Sequence, residues 1–598
     1  MTAHARTNVI HAFLTVFHDG NPGDCQYTTV AQGHLMPDMN RRQALRTALA
    51  GSAACAAVAQ EIAGRVEGRF LDPKRGRNGF DLGPAANRPH IFVLTADMIS
   101  PDHYHPSRSL QQRMDLPSLA SLARDSIAFT NAFCASPLCA PARAALFTGR
   151  YTYITANGER AHDGIATTLR DDDVIFQEYL KASGYVTKHA GKGHVGVSKF
   201  VDAFDENSAA WDRWNPPVRS DEYYLAYLRE LGIRPQKYTR EIHGLEQDRK
   251  TVANSTGGWV VQDDGRPFPL EASYSYFLAR QAIAKLDAAL AQKSGPVYIQ
   301  LDLFDPHQPF TIPAGFEARE RELQAICAEL PRSYRETVSA GWKPQPGQPR
   351  IYDLYRRYWG LYEQSTVAAY RVANALQMEV VDRALGLFLA ELKGRGLYDE
   401  SVIIFTADHG EMNGRRGLVD KGVFLYPEVL RVPLTVKMPA SRSAGGRTVD
   451  APVSHLDIAP TLLSLAAIQP HARLDGISLL PLISGGAGTN RDFVFECGSH
   501  VGINFACGIQ SWTPGGPHYL YAYNASSEVD ELYDLHDPDP SNLAGSPGHA
   551  SDRKRMIERL GAALRRDPRW LCYWSSYRLD HYFNLPGTPS GDMQLPAH

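Results

Sequence analysis

The chain has 598 residues, 43% hydrophobic and 21% charged, with a formal net charge of −3 at neutral pH. That balance describes a folded, water-soluble protein with apolar material for one large core or two unequal ones, and it excludes the basic surface that a nucleic-acid partner requires. Eight cysteines exclude a disulfide-built scaffold, and none has the C-x-x-C spacing of structural zinc or thioredoxin-like sites; at most Cys497 and Cys507 are expected to pair, across a hairpin.

From Met39 the chain reads MNRRQALRTALAGSAACAAVAQ. The pair Arg41-Arg42 is followed by a weakly apolar run too short to span a bilayer, then by the small-x-small pattern Ala57-Val58-Ala59. An amphipathic helix with two surface arginines would fit the pair but not the order of the three regions. The order predicts a twin-arginine-type signal and a bacterial periplasmic or secreted destination, without a membrane span. Residues 1–38 have no sustained hydrophobic period, so Met36 and Met39 stand beside Met1 as candidate starts. Residues 1–59 read as leader and 60–88, rich in Gly, Arg and Pro, as linker.

His90-Ile-Phe-Val-Leu-Thr-Ala96 is then a continuous apolar run, the pattern of a strand buried on both faces, and Asp97 follows it. Val402-Ile-Ile-Phe-Thr-Ala407 repeats the pattern and ends at Asp408-His409; Pro296 to Phe304 delivers Asp305-Pro-His307. Helical periodicity covers 116–125, 173–183, 273–292 and 368–395. Strands alternating with helices predict an α/β fold, a large mainly parallel mixed sheet sandwiched by helices, with ligands gathering beyond the carboxyl ends of its strands. We assign this domain to 89–485. Residues 486–598 read as a smaller antiparallel α+β subdomain, with strands near 492–496 and 518–524, a helix over 551–566 and an aromatic tail over 570–583.

In Cys139-Ala-Pro-Ala-Arg143-Ala-Ala-Leu-Phe-Thr-Gly-Arg150, Pro141 suits a first helical turn and leaves Cys139 near unpaired backbone N–H groups and the positive dipole end, a place for an anion. Alone, the pentapeptide would equally fit a small apolar cysteine opening a buried helix. The stretch resembles the sulfatase signature C-x-P-x-R followed by L-x-T-G-R. Further likenesses come in family order: Gly184-Tyr-Val-Thr with Gly191-Lys192-Gly-His194, Pro306-His307-Gln-Pro-Phe310, Asp408-His409-Gly-Glu411 with Lys421, and landmarks on to Asn542. The resemblance spans about residues 90–545 and implies the alkaline phosphatase-like fold of that superfamily.

The resemblance implies that Cys139 is oxidised to 3-oxoalanine (formylglycine) by a formylglycine-generating enzyme, and that its hydrated aldehyde is the nucleophile. It assigns Arg143 to hold that residue and share in neutralising the metal site. Lys192 and His194, two apart, are expected on one face of an extended segment. Asp97, residue 139, Asp408 and His409 would bind one divalent metal, calcium or manganese: carboxylates suit a hard cation, and the imidazole extends the choice toward manganese. Common sulfatases carry two aspartates after the first strand, where this chain has Met98, which is left out of the ligand set. The Asp408-His409 pair looks more like the choline sulfatase and phosphonate or phosphodiester hydrolase branches. Asn157 stands near their substrate-contacting asparagine.

Positive charge from Lys192, Lys421 and the metal would neutralise the ester oxygens as the aldehyde hydrate attacks in line. His307, with Lys421, would protonate the departing alcohol, and His194 or a carboxylate would take the proton that expels the inorganic anion. The expected reaction is hydrolysis of a sulfate monoester of a small molecule or carbohydrate; the alternative is phosphonate monoester or phosphodiester hydrolysis at the same site. A catalytically silent binding protein is disfavoured by the presence of Cys139, Lys192, His194, His307 and Lys421 together. The aromatic tail and the insertion over 311–370 are expected to wall the pocket or a contact in a homo-oligomer.

Overall fold

The computed structural model describes residues 88–566, except 152–168, 170–172 and single loop positions at 197, 443–444, 487, 489–490 and 526. It also describes two short strands that pair antiparallel, Leu14–Thr15 and Thr28–Thr29. The export-signal segment, the linker up to residue 87, Asn157 and the aromatic tail lie outside the described residues. The chain divides into two compact units, Met1–Leu71 and Asp72–His598, and the candidate site lies wholly within the second. Among the described residues no helix is long and apolar enough to cross a membrane.

The second unit is built on an eight-stranded sheet. Its strands are β1 (Ile91–Ala96), β2 (Ile127–Phe133), β3 (Val186–Gly191), β4 (Val297–Leu303), β5 (Val402–Ala407), β6 (Arg431–Lys437), β7 (Arg447–Val449) and β8 (Val453–Ser454). The order is β7–β2–β6–β5–β1–β4–β3, with β8 also on β2. Only β6 runs antiparallel to its neighbours in this sheet. Every residue of β1, β3, β4 and β5 is buried; β1 and β5 accordingly read as apolar runs, whereas β4 carries buried Gln300 and Asp302 and β3 buried Lys188 and His189.

Helices flank the sheet. They include α1 (Pro117–Arg124), α2 (Cys139–Thr148), α3 (Phe176–Ala182), α4 (Tyr274–Gln292) and α5 (Gln364–Gly394). α5 buries Val381, Leu385, Phe388 and Leu392 at helical spacing. The fold is the α/β arrangement expected from strand and helix alternation. One element was not legible: Gln236–Leu245 and Val252–Gln262 form a hairpin joined by Phe310–Ile312 into a separate three-stranded sheet. Half of the residues of its first strand are exposed, Lys237, Arg240 and Glu241 among them, so no apolar run marks it.

The C-terminal sheet is an antiparallel meander of β9 (Phe493–Ser499), β10 (Ile503–Trp512), β11 (His518–Asn524) and β12 (Val529–Asp534). A further helix, α6 (Ala550–Arg566), lays Met556, Leu560 and Leu564 on one face of it, against Cys507, Ile509 and Tyr521. The other face, with Cys497, Ala506 and Leu520, joins the main core. The alternation corrects the expected disulfide. Cys497 lies opposite Ala506 and Cys507 opposite Glu496, so the two thiols point to opposite faces and both are free.

Candidate active site

β1 and β5 run parallel and in register, Leu94 beside Phe405 and Ala96 beside Ala407, so Asp97 and Asp408 leave the sheet side by side. On the other flank of β1, Leu303 pairs with Ala96 and Gly191 with Asp302; the ends of β4 and β3 deliver His307 and Lys192. The first turn of α2 meets these strand ends. Cys139 is its first residue, after Leu138 in extended conformation, and the helix is buried throughout. It ends at Gly149, where φ is 64° and a Cβ would meet Ala459 at 3.1 Å, so both the turn and the close approach require glycine.

Cys139 Sγ lies 3.1 Å from His409 Nε2 and 3.7 Å from Asp97 Oδ1. One ligand atom from each of Asp97, Cys139, Asp408 and His409 lies within 4.8 Å of the others, and all four residues are buried. The sulfur stands in for the oxygen that an oxidised residue 139 would present. Two carboxylates, an imidazole and that oxygen fit one divalent cation. The electrostatics agree. Burial and the neighbouring Asp408 and Cys139 push Asp97 up, against the pull of Lys192. Burial disfavours charge on His409, yet Asp408 and Cys139 lift it to about 9: the cluster attracts positive charge.

Protein cations surround it. Lys192 Nζ donates to Asp97 Oδ2, and to the Trp214 carbonyl at 2.8 Å. Arg143 Nε donates to Asp408 Oδ2 at 2.9 Å and Nη1 to the Lys192 carbonyl at 2.5 Å, 3.7 Å from Asp302. Burial opposes ionisation of Asp408, but His409 and Arg143 prevail and hold it below the usual carboxylate range. Met98 contributes its backbone: its N–H donates to Asp408 Oδ1 at 3.0 Å while its side chain is buried.

Lys192 and His194 do not share an extended strand. They follow β3 in a loop in which Gly193 and His194 both donate their N–H to the Trp211 carbonyl, and His194 has φ 52°. The turn still brings the imidazole into hydrogen-bonding contact with Cys139, and burial lowers it to about 4, leaving it neutral. Lys421 Nζ is hydrogen-bonded to His307 Nε2, and His307 Nδ1 donates to the Gln308 carbonyl. Burial would depress Lys421, but Asp420 at 3.3 Å and Cys139 outweigh it and hold the ammonium above its ordinary range.

Asp97, Cys139, Arg143, Lys192, His194, His307, Asp408, His409 and Lys421 thus form one constellation. Sequence reasoning missed several residues around it. Asp420 had only its adjacency to Lys421 as a signal. Trp214, 50% exposed, brings its ring to 6.2 Å from His307. Asp302, hydrogen-bonded to His189 at 3.0 Å, backs Arg143. No local pattern singles these residues out.

Comparison with known proteins identifies the family. The sulfatase family profile matches residues 89–468, and the profile described as N-sulphoglucosamine sulphohydrolase, C-terminal, matches 414–566. A choline-sulfatase of Rhizobium meliloti is 24% identical over 517 residues, 81% of this chain and 91% of that protein. An uncharacterised sulfatase, YidJ, of Escherichia coli is 26% identical, and the match covers 61% of this chain and 66%, just under two thirds, of that protein. The structure of a phosphonate monoester hydrolase from Silicibacter pomeroyi superposes with a TM-score of 0.61 at 20% identity, covering 81% of this chain and 96% of that one, which supports the fold. With well over half of its length matched by the family profile, the chain belongs to the sulfatase family of the alkaline phosphatase superfamily, the hydrolases of sulfuric esters.

Proposed function

We propose that this protein hydrolyses sulfate monoesters of small-molecule or carbohydrate alcohols, with residue 139 acting as formylglycine beside one divalent cation held by Asp97, Asp408 and His409. The observation that carries this reading is the convergence of those three ligands on the Cys139 thiol, 3.1 Å from His409 and 3.7 Å from Asp97, inside a ring of buried cations. When bound, the cation and the hydrated aldehyde supply charge and a hydroxyl nucleophile. The chain's own residues do the rest.

Lys192, paired with Asp97, and Lys421, raised by Asp420 and Cys139, both stand by the thiol, so a tetrahedral anion there meets two positive charges. Arg143 fixes Asp408 and the Lys192 loop, which keeps the geometry from relaxing between turnovers. Neutral His194 is suited to take a proton from residue 139. At the leaving group, Asp420 and Cys139 hold Lys421 as an ammonium, which can only donate, so His307 Nε2 accepts from it while His307 Nδ1 donates to the Gln308 carbonyl. Lys421 is therefore the proton source for the departing alcohol, with His307 orienting and sharing that proton. The leader supports export to the periplasm or beyond.

A second reading, phosphonate monoester or phosphodiester hydrolysis, is favoured by the Asp408-His409 pair and by the likeness to a phosphonate monoester hydrolase. Turnover of 4-nitrophenyl sulfate, phenylphosphonate and phosphodiester by protein carrying the modified residue separates them. Faster sulfate turnover upholds the first reading; faster phosphonate or diester turnover replaces it.

A further inference from the structure

The turn that carries Lys421 is gripped by two elements outside the central sheet. Gly422 lies against aromatic rings: a Cβ there would come within 2.6 Å of Tyr355 and 2.3 Å of Phe424. Val423 donates its N–H to Tyr355 Oη at 3.3 Å, and its carbonyl accepts from Asn504 Nδ2 at 2.7 Å. Tyr355 belongs to the helix Arg350–Trp359 and Asn504 to β10. The backbone after the lysine is thus held at both polar groups, one by each element.

Tyr355 is itself aimed. Its phenol accepts from Val423 and retains one proton to donate; Nδ1 of His500 stands 2.7 Å away, with the two rings tilted by 25°. His500 lies in the loop between β9 and β10, closed by its N–H donating to the Gly502 carbonyl at 2.9 Å. That loop sits tightly on the Arg350–Trp359 helix, since a Cβ on Gly502 would meet Leu354 at 2.3 Å. Burial, with Lys421 nearby, keeps the imidazole neutral down to about pH 4, so Nδ1 remains an acceptor through the working range.

We propose that Tyr355 and His500 are positioning residues for Lys421: through the chain His500, Tyr355 Oη, Val423 N–H they set where the lysine ammonium stands relative to the ester oxygen. This rests on the reading of Lys421 as proton source. Its consequence is chemical. A correctly placed proton matters most when the alcohol is a poor leaving group and least when it departs readily as an anion. The C-terminal sheet and the inserted helix therefore tune how steeply the rate depends on the alcohol released.

The test compares Tyr355→Phe, His500→Leu and His500→Asn with the unaltered enzyme over aryl sulfates running from 4-nitrophenyl to phenyl. Tyr355→Phe removes only a hydroxyl, and melting curves identify any variant that fails to fold. Loss of one aligned hydrogen bond is expected to lower kcat about tenfold more for phenyl than for 4-nitrophenyl sulfate, with KM little changed. His500→Asn, which keeps an acceptor, is expected to recover most of the difference that His500→Leu loses. An equal loss across the series, or no loss in Tyr355→Phe, overturns the proposal. If the unaltered enzyme turns over aryl phosphonates instead of sulfates, the sulfate reading falls, and the same comparison in the phosphonate series decides the positioning role.

Discussion

The ammonium of Lys421 is shared between Nε2 of His307 and the carboxylate of Asp420, 3.3 Å away. Asp420 and Cys139 hold Lys421 protonated, and an ammonium can only donate, so Nε2 of His307 is the acceptor of the pair. Lys421→Met is expected to lower kcat by about 10² to 10⁴, with the larger loss for alkyl and phenyl sulfates and the smaller for 4-nitrophenyl sulfate. Steady-state kinetics over a leaving-group series measures it, and a uniform loss would assign Lys421 to charge neutralisation alone.

Cys139 opens α2 with its thiol against His409 and Asp97. Mass spectrometry of the tryptic peptide spanning this residue, from protein made in a host with the modifying enzyme, is expected to show an aldehyde in place of the thiol. Cys139→Ala is expected to lose on the order of 10⁵ in kcat, as nucleophile removal does in other hydrolases. An unmodified thiol in fully active protein would end the formylglycine reading.

The four-residue cluster predicts a cation whose binding releases protons, because His409 is lifted to about 9 by Asp408 and Cys139 in its absence. Chelation is expected to abolish turnover and lower the melting temperature. Manganese or calcium at a hundredfold excess over Kd restores about 2.7 kcal/mol of stability. Calorimetry in buffers of different ionisation enthalpy measures the released protons, and Asp408→Asn is expected to eliminate both binding and release.

Acid should destabilise the fold through buried neutral histidines. His518, against Phe133 and near Arg431, is lowered to about 2, chiefly by burial; His103 is lowered to about 4, also by burial. A histidine with a depressed folded pKa binds fewer protons folded than unfolded, so its contribution is complete above about pH 6.5 and is lost as pH falls toward the folded value. Each costs about 1.4 kcal/mol per pH unit inside that window. Urea melts between pH 7 and pH 4.5 are expected to show the decline, and His518→Gln a shallower one.

Much of the molecule was legible because its chemistry is local. Buried parallel strands favour apolar runs, so 90–96, 296–304 and 402–407 announced the sheet while Val186–Gly191, with Lys188 and His189, did not, and the acids and histidines that follow each run fall at the carboxyl edge of the sheet. The motifs around Cys139, Lys192, His307 and Asp408 name the candidate groups for the same reason: residue type and short spacing are properties of a few neighbouring residues. Contacts across the fold leave no such trace. Lys421 and His307 are 114 residues apart, and Tyr355 and His500 are 145 apart. Which partners His307 meets, which element grips the Lys421 turn and which faces Cys497 of β9 and Cys507 of β10 take follow from distances that exist only after the segments pack. The sequence by itself determined the sheet and the candidate reacting groups; the tertiary structure decided which of them stand together and what each is bonded to, because those partners are brought into contact by the whole core.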